Sequence, residues 1–96
     1  MADNNRTQTG VAVTKLKGRG ALNLLGREVL SALKIELDRL DQDRSVRALI
    51  LTGSGDRAFS AGVDLHQMKD LDPAGAESFI TALHGPARKL LTMAIP

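Results

Sequence analysis

Arg47-Ala48-Leu49-Ile50-Leu51-Thr52-Gly53-Ser54-Gly55-Asp56-Arg57-Ala58-Phe59-Ser60-Ala61-Gly62-Val63-Asp64-Leu65 is the stretch that decides how this chain folds. It opens on an apolar run short enough to be a buried strand. A glycine-punctuated bend follows at Gly53-Ser54-Gly55, and a second bend, Ser60-Ala61-Gly62, leads onto a helix start. Such bends can leave backbone N–H groups unpaired, and an N–H aimed into a hollow stabilises developing negative charge. The stretch is therefore a candidate catalytic loop whose chemistry comes from the main chain rather than from a reactive side chain.

Upstream, Val11-Ala12-Val13-Thr14-Lys15-Leu16 alternates in the period-two manner of a half-buried strand and ends at Gly18-Arg19-Gly20. Leu22, Leu25, Val29, Leu33, Leu37 and Leu40 recur at spacings of three and four, with Leu30 widening the stripe. That pattern predicts a helix with Asn23 as its N-cap. Asp43-Arg44-Ser45 turns the chain into the strand Val46–Thr52, whose near-continuous apolar character predicts cover on both faces, as in a parallel sheet. Strand, helix and strand make a crossover unit. Downstream, Val63 to Leu71 predicts a short helical turn. Asp72-Pro73 starts a further helix with the stripe Ala76, Phe79, Ile80, Leu83 and Ala87, and Gly85-Pro86 should kink or restart it. Ala94-Ile95-Pro96 reads as the approach to another strand. The fold class is α/β, in the order strand–helix–strand–loop–helix. Residues 1–9 read as a polar N-terminal tail, and residues 10–96 as the front part of a longer domain.

Composition narrows the function. Ninety-six residues suit one small domain. The only aromatics are Phe59 and Phe79, both expected in an otherwise aliphatic core, so base stacking on aromatic side chains is not available. The net charge is +2 with basic residues dispersed, which argues against nucleic acid as a partner. There is no cysteine, no apolar segment of membrane-spanning length and no secretory leader in the first nine residues, so the chain reads as cytoplasmic, with no membrane partner. His66 and His84 stand eighteen residues apart with no carboxylate pair to complete a metal site.

Gly18-Arg19-Gly20-Ala21-Leu22-Asn23, Leu49-Ile50-Leu51-Thr52-Gly53-Ser54-Gly55 and Ala58-Phe59-Ser60-Ala61-Gly62-Val63-Asp64-Leu65 together resemble the crotonase superfamily of enoyl-CoA hydratases and isomerases. The resemblance runs from about Val11 to Pro96. It implies the N-terminal part of a spiral fold of repeated ββα units, assembled as a homotrimer or hexamer. It also implies an acyl-CoA substrate, with coenzyme A as part of the substrate and no separate cofactor. In such proteins two backbone N–H groups polarise the thioester carbonyl and stabilise the enolate. By position the first donor is the amide of Val63, after Gly62. Ala61 and the segment Asp64, Leu65 and His66 should lie along the coenzyme A moiety, with Ala21 and Leu22 on its other side and Arg57 at its phosphates. His66 stands where that family often has lysine, and Gly20 where it often has asparagine. The second oxyanion donor and the carboxylates that handle water and proton belong to the family's second half, which would follow Pro96. Hydration of a trans-2-enoyl-CoA is the implied reaction, with this chain alone expected to be inactive.

Two other readings stand beside this one. The chain could be a non-catalytic, truncated module that keeps the coenzyme A-contacting loop. Alternatively, Gly53-Ser54-Gly55-Asp56-Arg57-Ala58 also fits the dinucleotide pattern G-x-G-x-x-A, which needs a helix running directly on from its second glycine. For Asp64, the local reading is a helix cap rather than a general base.

Overall fold

The computed structural model describes Ala2–Arg6 by their backbone alone and residues 10–96 in full. Along the chain lie β1 (Ala2–Arg6), β2 (Val11–Leu16), α1 (Arg27–Gln42), β3 (Ala48–Gly53), α2 (Leu65–Met68) and α3 (Pro73–Thr92). The sheet has the order β1-β2-β3. β2 and β3 are parallel, with Ala12 opposite Leu49 and Leu16 opposite Gly53, and α1 makes the crossover between them. Helix α3 packs mainly on α1.

The polar tail expected at 1–9 is corrected for residues 2–6, which form β1 and pair antiparallel with β2 from Ala2–Leu16 to Arg6–Ala12. An unpaired strand edge offers donors and acceptors to any backbone, whatever its side chains, and hydropathy patterning does not register that. Met1 and residues 7–9 lie outside the described residues.

On β2 the alternation holds: Ala12, Thr14 and Leu16 are buried against α1, while Val11 and Val13 are half-buried on the opposite face. From α1, Leu33, Leu37 and Leu40 descend onto that surface, and Leu30 is buried as well. Leu16, Leu33 and Leu37 form one cluster with Leu49 and Leu51 beside it; Ala12, Leu40 and Val46 form another, reached by Met93 and Ile95. Each fully buried leucine contributes about 1.5–3 kcal/mol, so four of them outweigh the roughly 1 kcal/mol of a good side-chain cap. α1 accordingly forms with Gly26 as its N-cap, a residue that has no side chain to supply a cap bond. A substitute comes from α2, where Gln67 Oε1 accepts from Arg27 N–H at 3.0 Å.

Three expectations are corrected here. α1 begins at Arg27, so Leu22, Asn23 and Leu25 precede the helix. β3 runs two residues later than predicted at its start and is covered on one face only, with Ile50 on the other face 52% exposed. Of the kink or restart expected at Gly85-Pro86, the restart does not occur: helix α3 runs on through Pro86, which is buried. Asp72 caps α3 as expected, accepting from Gly75 N–H at 2.7 Å.

The α1–α3 seam combines apolar and ionic contacts. Phe79 is fully buried, with the Arg27 guanidinium 5.4 Å from its ring centroid. Arg27 also donates to Ser78 Oγ and to the Gly75 carbonyl, both at 3.0 Å. Lys89 reaches Asp41 at 2.8 Å and Asp38 at 3.5 Å, and Asp41 accepts from Ala94 N–H at 3.1 Å. These bonds return the end of the chain to the sheet, where Leu49 N–H donates to the Pro96 carbonyl at 2.9 Å. Pro96 thereby lies against the outer edge of β3.

Leu37→Ala should cost about 2–5 kcal/mol of stability in chemical denaturation, because it opens a cavity between Leu16 and Leu33. Ile35→Ala, on the 66% exposed side of the same helix, should stay within about 0.5 kcal/mol.

Candidate active site

Beyond β3, residues 54–64 leave the sheet and need other partners for their carbonyls. Asn23 supplies them. It is buried, and its φ of 52° lies in the left-handed region that asparagine tolerates better than most residues. Its Nδ2 donates to the carbonyls of Ser54 (2.9 Å), Ala58 (3.0 Å) and Phe59 (3.2 Å). Two N–H bonds thus serve three acceptors, one of them shared. Asn23 Oδ1 accepts from Gly18 N–H at 3.3 Å. Asn23 is therefore not the cap of α1; its carboxamide ties the 54–59 bend to the 18–23 turn. Gly53 lets the bend close this tightly, since a Cβ there would sit 2.4 Å from the Ala58 carbonyl oxygen.

A second set of bonds fixes residues 60–64. Ser60 Oγ donates to the Asn23 carbonyl at 2.8 Å and accepts from Gly62 N–H at 3.1 Å. Ala61 N–H donates to the Leu22 carbonyl at 2.9 Å. Leu25 N–H donates to the Gly62 carbonyl and Asp64 N–H to the Leu25 carbonyl, both at 2.8 Å, making a parallel bridge between Leu25 and Val63. In that pattern the central residue's own N–H faces away from the partner strand. Of the four amides at 61–64, Val63 N–H is the one without a hydrogen-bond partner among the described residues. Gly62, at φ 106°, supplies a backbone conformation that a side chain would strain.

Asp64 follows and is 1% exposed. Its carboxylate accepts from Arg19 Nε at 2.6 Å, from Arg19 Nη2 at 3.2 Å and from His66 N–H at 3.0 Å. The last bond caps α2, as the local reading expected. The Arg19 guanidinium holds the Asp64 carboxyl below the usual carboxylate range; burial opposes this, and the His66 amide and charge reinforce it. The guanidinium is shifted upward in turn by Asp64.

A cavity of about 390 Å³ opens between the 17–23 turn and the 54–57 bend, with Lys17, Ala21, Asn23, Asp56 and Arg57 on its walls. That volume is in the range of a small-molecule pocket. A second hollow of about 250 Å³ lies on the Arg19, Glu28, Asp64 and Gln67 side. The segment 54–64 contains no helix, so no helix runs on from Gly55, and the dinucleotide alternative fails on its main requirement.

Residues 6–96 match the family described as enoyl-CoA hydratase/isomerase. The chain belongs to that family. Among relatives of the hydratase/isomerase family, it is 40% identical over 67 residues to the mitochondrial enoyl-CoA delta isomerase 1 of Rattus norvegicus, covering 70% of this chain and 23% of the relative. It is 33% identical over 69 residues to the short-chain-enoyl-CoA hydratase of Clostridium acetobutylicum, covering 72% of this chain and 26% of the relative. Its fold superposes on the solved enoyl-CoA hydratase of Mycobacterium smegmatis with a TM-score of 0.91 and 29% identity, over 99% of this chain and 37% of the other. The chain thus spans about a quarter of the length of the curated relatives it matches. Its architecture is the N-terminal portion of the hydratase/isomerase, or crotonase, fold.

Within this family fold the residues singled out from sequence fall into two places. Ala21 and Arg57 share the larger cavity. Ala61 bonds the Leu22 carbonyl, Gly62 and Asp64 bond Leu25 on either side of Val63, and Leu65 and His66 stand exposed at the start of α2. Val63 lines neither of the two cavities described above. Phe59, expected in the core, is 52% exposed, because Asn23 grips its carbonyl and the ring is left outward. Sequence reasoning missed Arg19 and Ser60 as site-building residues, and gave Asn23 the wrong task. A left-handed asparagine after Gly20 is the one local signal it could have used.

Asn23→Ala should lower stability by roughly 1–3 kcal/mol, because buried carbonyls lose their donor. Asn23→Asp, nearly isosteric, should cost more in the same denaturation experiment, since an anion would face those carbonyls. For Asp64 the sign follows from its lowered folded value. Its stabilisation is complete above the unfolded carboxyl value of about 3.9 and disappears as pH falls through the folded value. Acid unfolding followed by circular dichroism should show wild type more stable than Asp64→Asn near neutrality, with the two curves converging in acid.

Proposed function

We propose that this chain forms the first half of an acyl-CoA-processing centre, in which Val63 N–H is one of two donors to the thioester carbonyl oxygen. The observation that carries this reading is the unpartnered Val63 amide between the bonded amides of Ala61, Gly62 and Asp64. A main-chain donor held this way costs no reorganisation when negative charge develops on the carbonyl oxygen. Removal or addition of a proton next to the thioester passes through an enolate, and the donor lowers the barrier by stabilising that oxygen.

Hydration of a trans-2-enoyl-CoA is the preferred reaction: water oxygen adds to the β-carbon and a proton to the α-carbon, with the enolate between. The matches to hydratases support it. An isomerase shares the same oxyanion chemistry, and its matches keep double-bond migration as the second reading. The acid and base groups would come from elsewhere in the protein. Ala21, Leu22, Ala61 and the Asp64–His66 main chain are assigned to the coenzyme A moiety and Arg57 to its phosphates; the shared cavity of Ala21 and Arg57 supports that assignment. Assembly into a trimer or hexamer suits the apolar surface that remains open, including Ile50, Leu65 and Leu91.

The test uses the protein extended to the length of its relatives, assayed for crotonyl-CoA hydration and, in parallel, for isomerisation of a 3-enoyl-CoA. Val63→Pro removes the amide hydrogen and should lower the rate of the active reaction by about 10²–10³. Val63→Ala keeps the amide and should stay close to wild type. Retained turnover in Val63→Pro would overturn the donor assignment.

A further inference from the structure

The Val63 amide is straddled by ties that come from one hairpin. Arg19 and Leu24 pair across its base, each donating to the other at 3.0 Å. Leu25, next in the chain, holds the Gly62 carbonyl and the Asp64 amide, the groups on either side of Val63. The Arg19 side chain then crosses to Asp64 with a two-pronged grip, Nε to Oδ2 and Nη2 to Oδ1. We propose that Arg19 is a positioning residue for the oxyanion donor: through the Asp64 carboxylate it fixes the direction in which Val63 N–H points.

The exposed-ion-pair alternative predicts almost no consequence for losing Arg19, since surface pairs contribute little. Burial argues otherwise. The Arg19 side chain is 54% exposed, but that of Asp64 is 2% exposed, so removing Arg19 leaves a buried carboxylate with one amide donor from His66. That carboxylate lines the hollow it shares with Glu28 and Gln67, so it turns toward water there, and the 62–64 backbone to which it is joined loses one of its anchors. Arg19 and His66 act on the carboxylate directly, and Lys17 and Glu28 line the hollow it borders. A side-on Arg fork constrains orientation as well as charge, which a lysine's point charge cannot do.

This inference rests on the donor role proposed for Val63, and the experiment separates the two. The ¹⁵N-labelled protein, extended to the length of its relatives, is compared with Arg19→Ala and Arg19→Lys by amide spectra, amide exchange and titration with acetoacetyl-CoA. In Arg19→Ala the Val63 and Asp64 peaks should shift or split, and His66 exchange should rise roughly tenfold or more, as expected for a loosened charge-assisted hydrogen bond. Amides of β2, β3 and the middle of α1 should stay protected. Arg19→Lys should restore the exchange in part and the Val63 peak position incompletely. Unchanged 62–66 signals in Arg19→Ala would overturn the positioning role. So would loss of protection throughout β2 and β3 in both variants, since Arg19 would then be a general fold contact. If acetoacetyl-CoA leaves the wild-type Val63 peak unmoved while Arg19→Ala perturbs it, the thioester reading fails and the orienting tie stands.

Discussion

Three carbonyls at Ser54, Ala58 and Phe59 turn inward from a bend that has no strand beside it, and one asparagine carboxamide answers all of them. A buried carbonyl without a donor costs on the order of 1–3 kcal/mol, so the bend could not keep this shape around an apolar residue. Asn23 can reach them because its own backbone is left-handed, which turns the carboxamide across the gap between the two loops. Its backbone carbonyl then receives Ser60 Oγ, and Ser60 holds Gly62. The path from Asn23 to the amide of Val63 is therefore a short sequence of hydrogen bonds, each leaving the next fewer alternatives.

That arrangement explains how a site can be built without a reactive side chain. A backbone N–H has fixed donor geometry and no titration of its own, so its direction is the only property the fold must control. Parity in the Leu25–Val63 bridge turns the Gly62 carbonyl and the Asp64 N–H toward Leu25 and leaves the Val63 N–H between them outward. Asp64 serves the same end. Its carboxylate caps α2 and takes the Arg19 fork, and both interactions hold the residue next to the proposed donor.

The helices supply the platform. α1 is seated by its buried leucines rather than by its N-cap, and Gln67 from α2 bonds the first amide of α1. The short helix that follows the loop is thus tied to the crossover helix beneath it. Arg27 extends the connection to α3 through Ser78, Gly75 and the face of Phe79.

The chain's periodicities were sufficient for much of this. β2, the seating of α1 through Leu30, Leu33, Leu37 and Leu40, the capped start of α3 at Asp72-Pro73 and the parallel crossover all follow from apolar spacing and local caps, which depend on neighbours within a turn or two. The Ala21-Leu22-Asn23 element and the string from Leu49 to Leu65 together pointed to the family. Tertiary structure alone decided that polar residues 2–6 add a strand, that Phe59 faces outward, that Asn23 leaves the helix to hold the loop, and that Arg19 meets Asp64 across forty-five residues. Those outcomes rest on hydrogen-bond partners brought together by folding, and a linear pattern carries no record of which distant donor will satisfy a given acceptor.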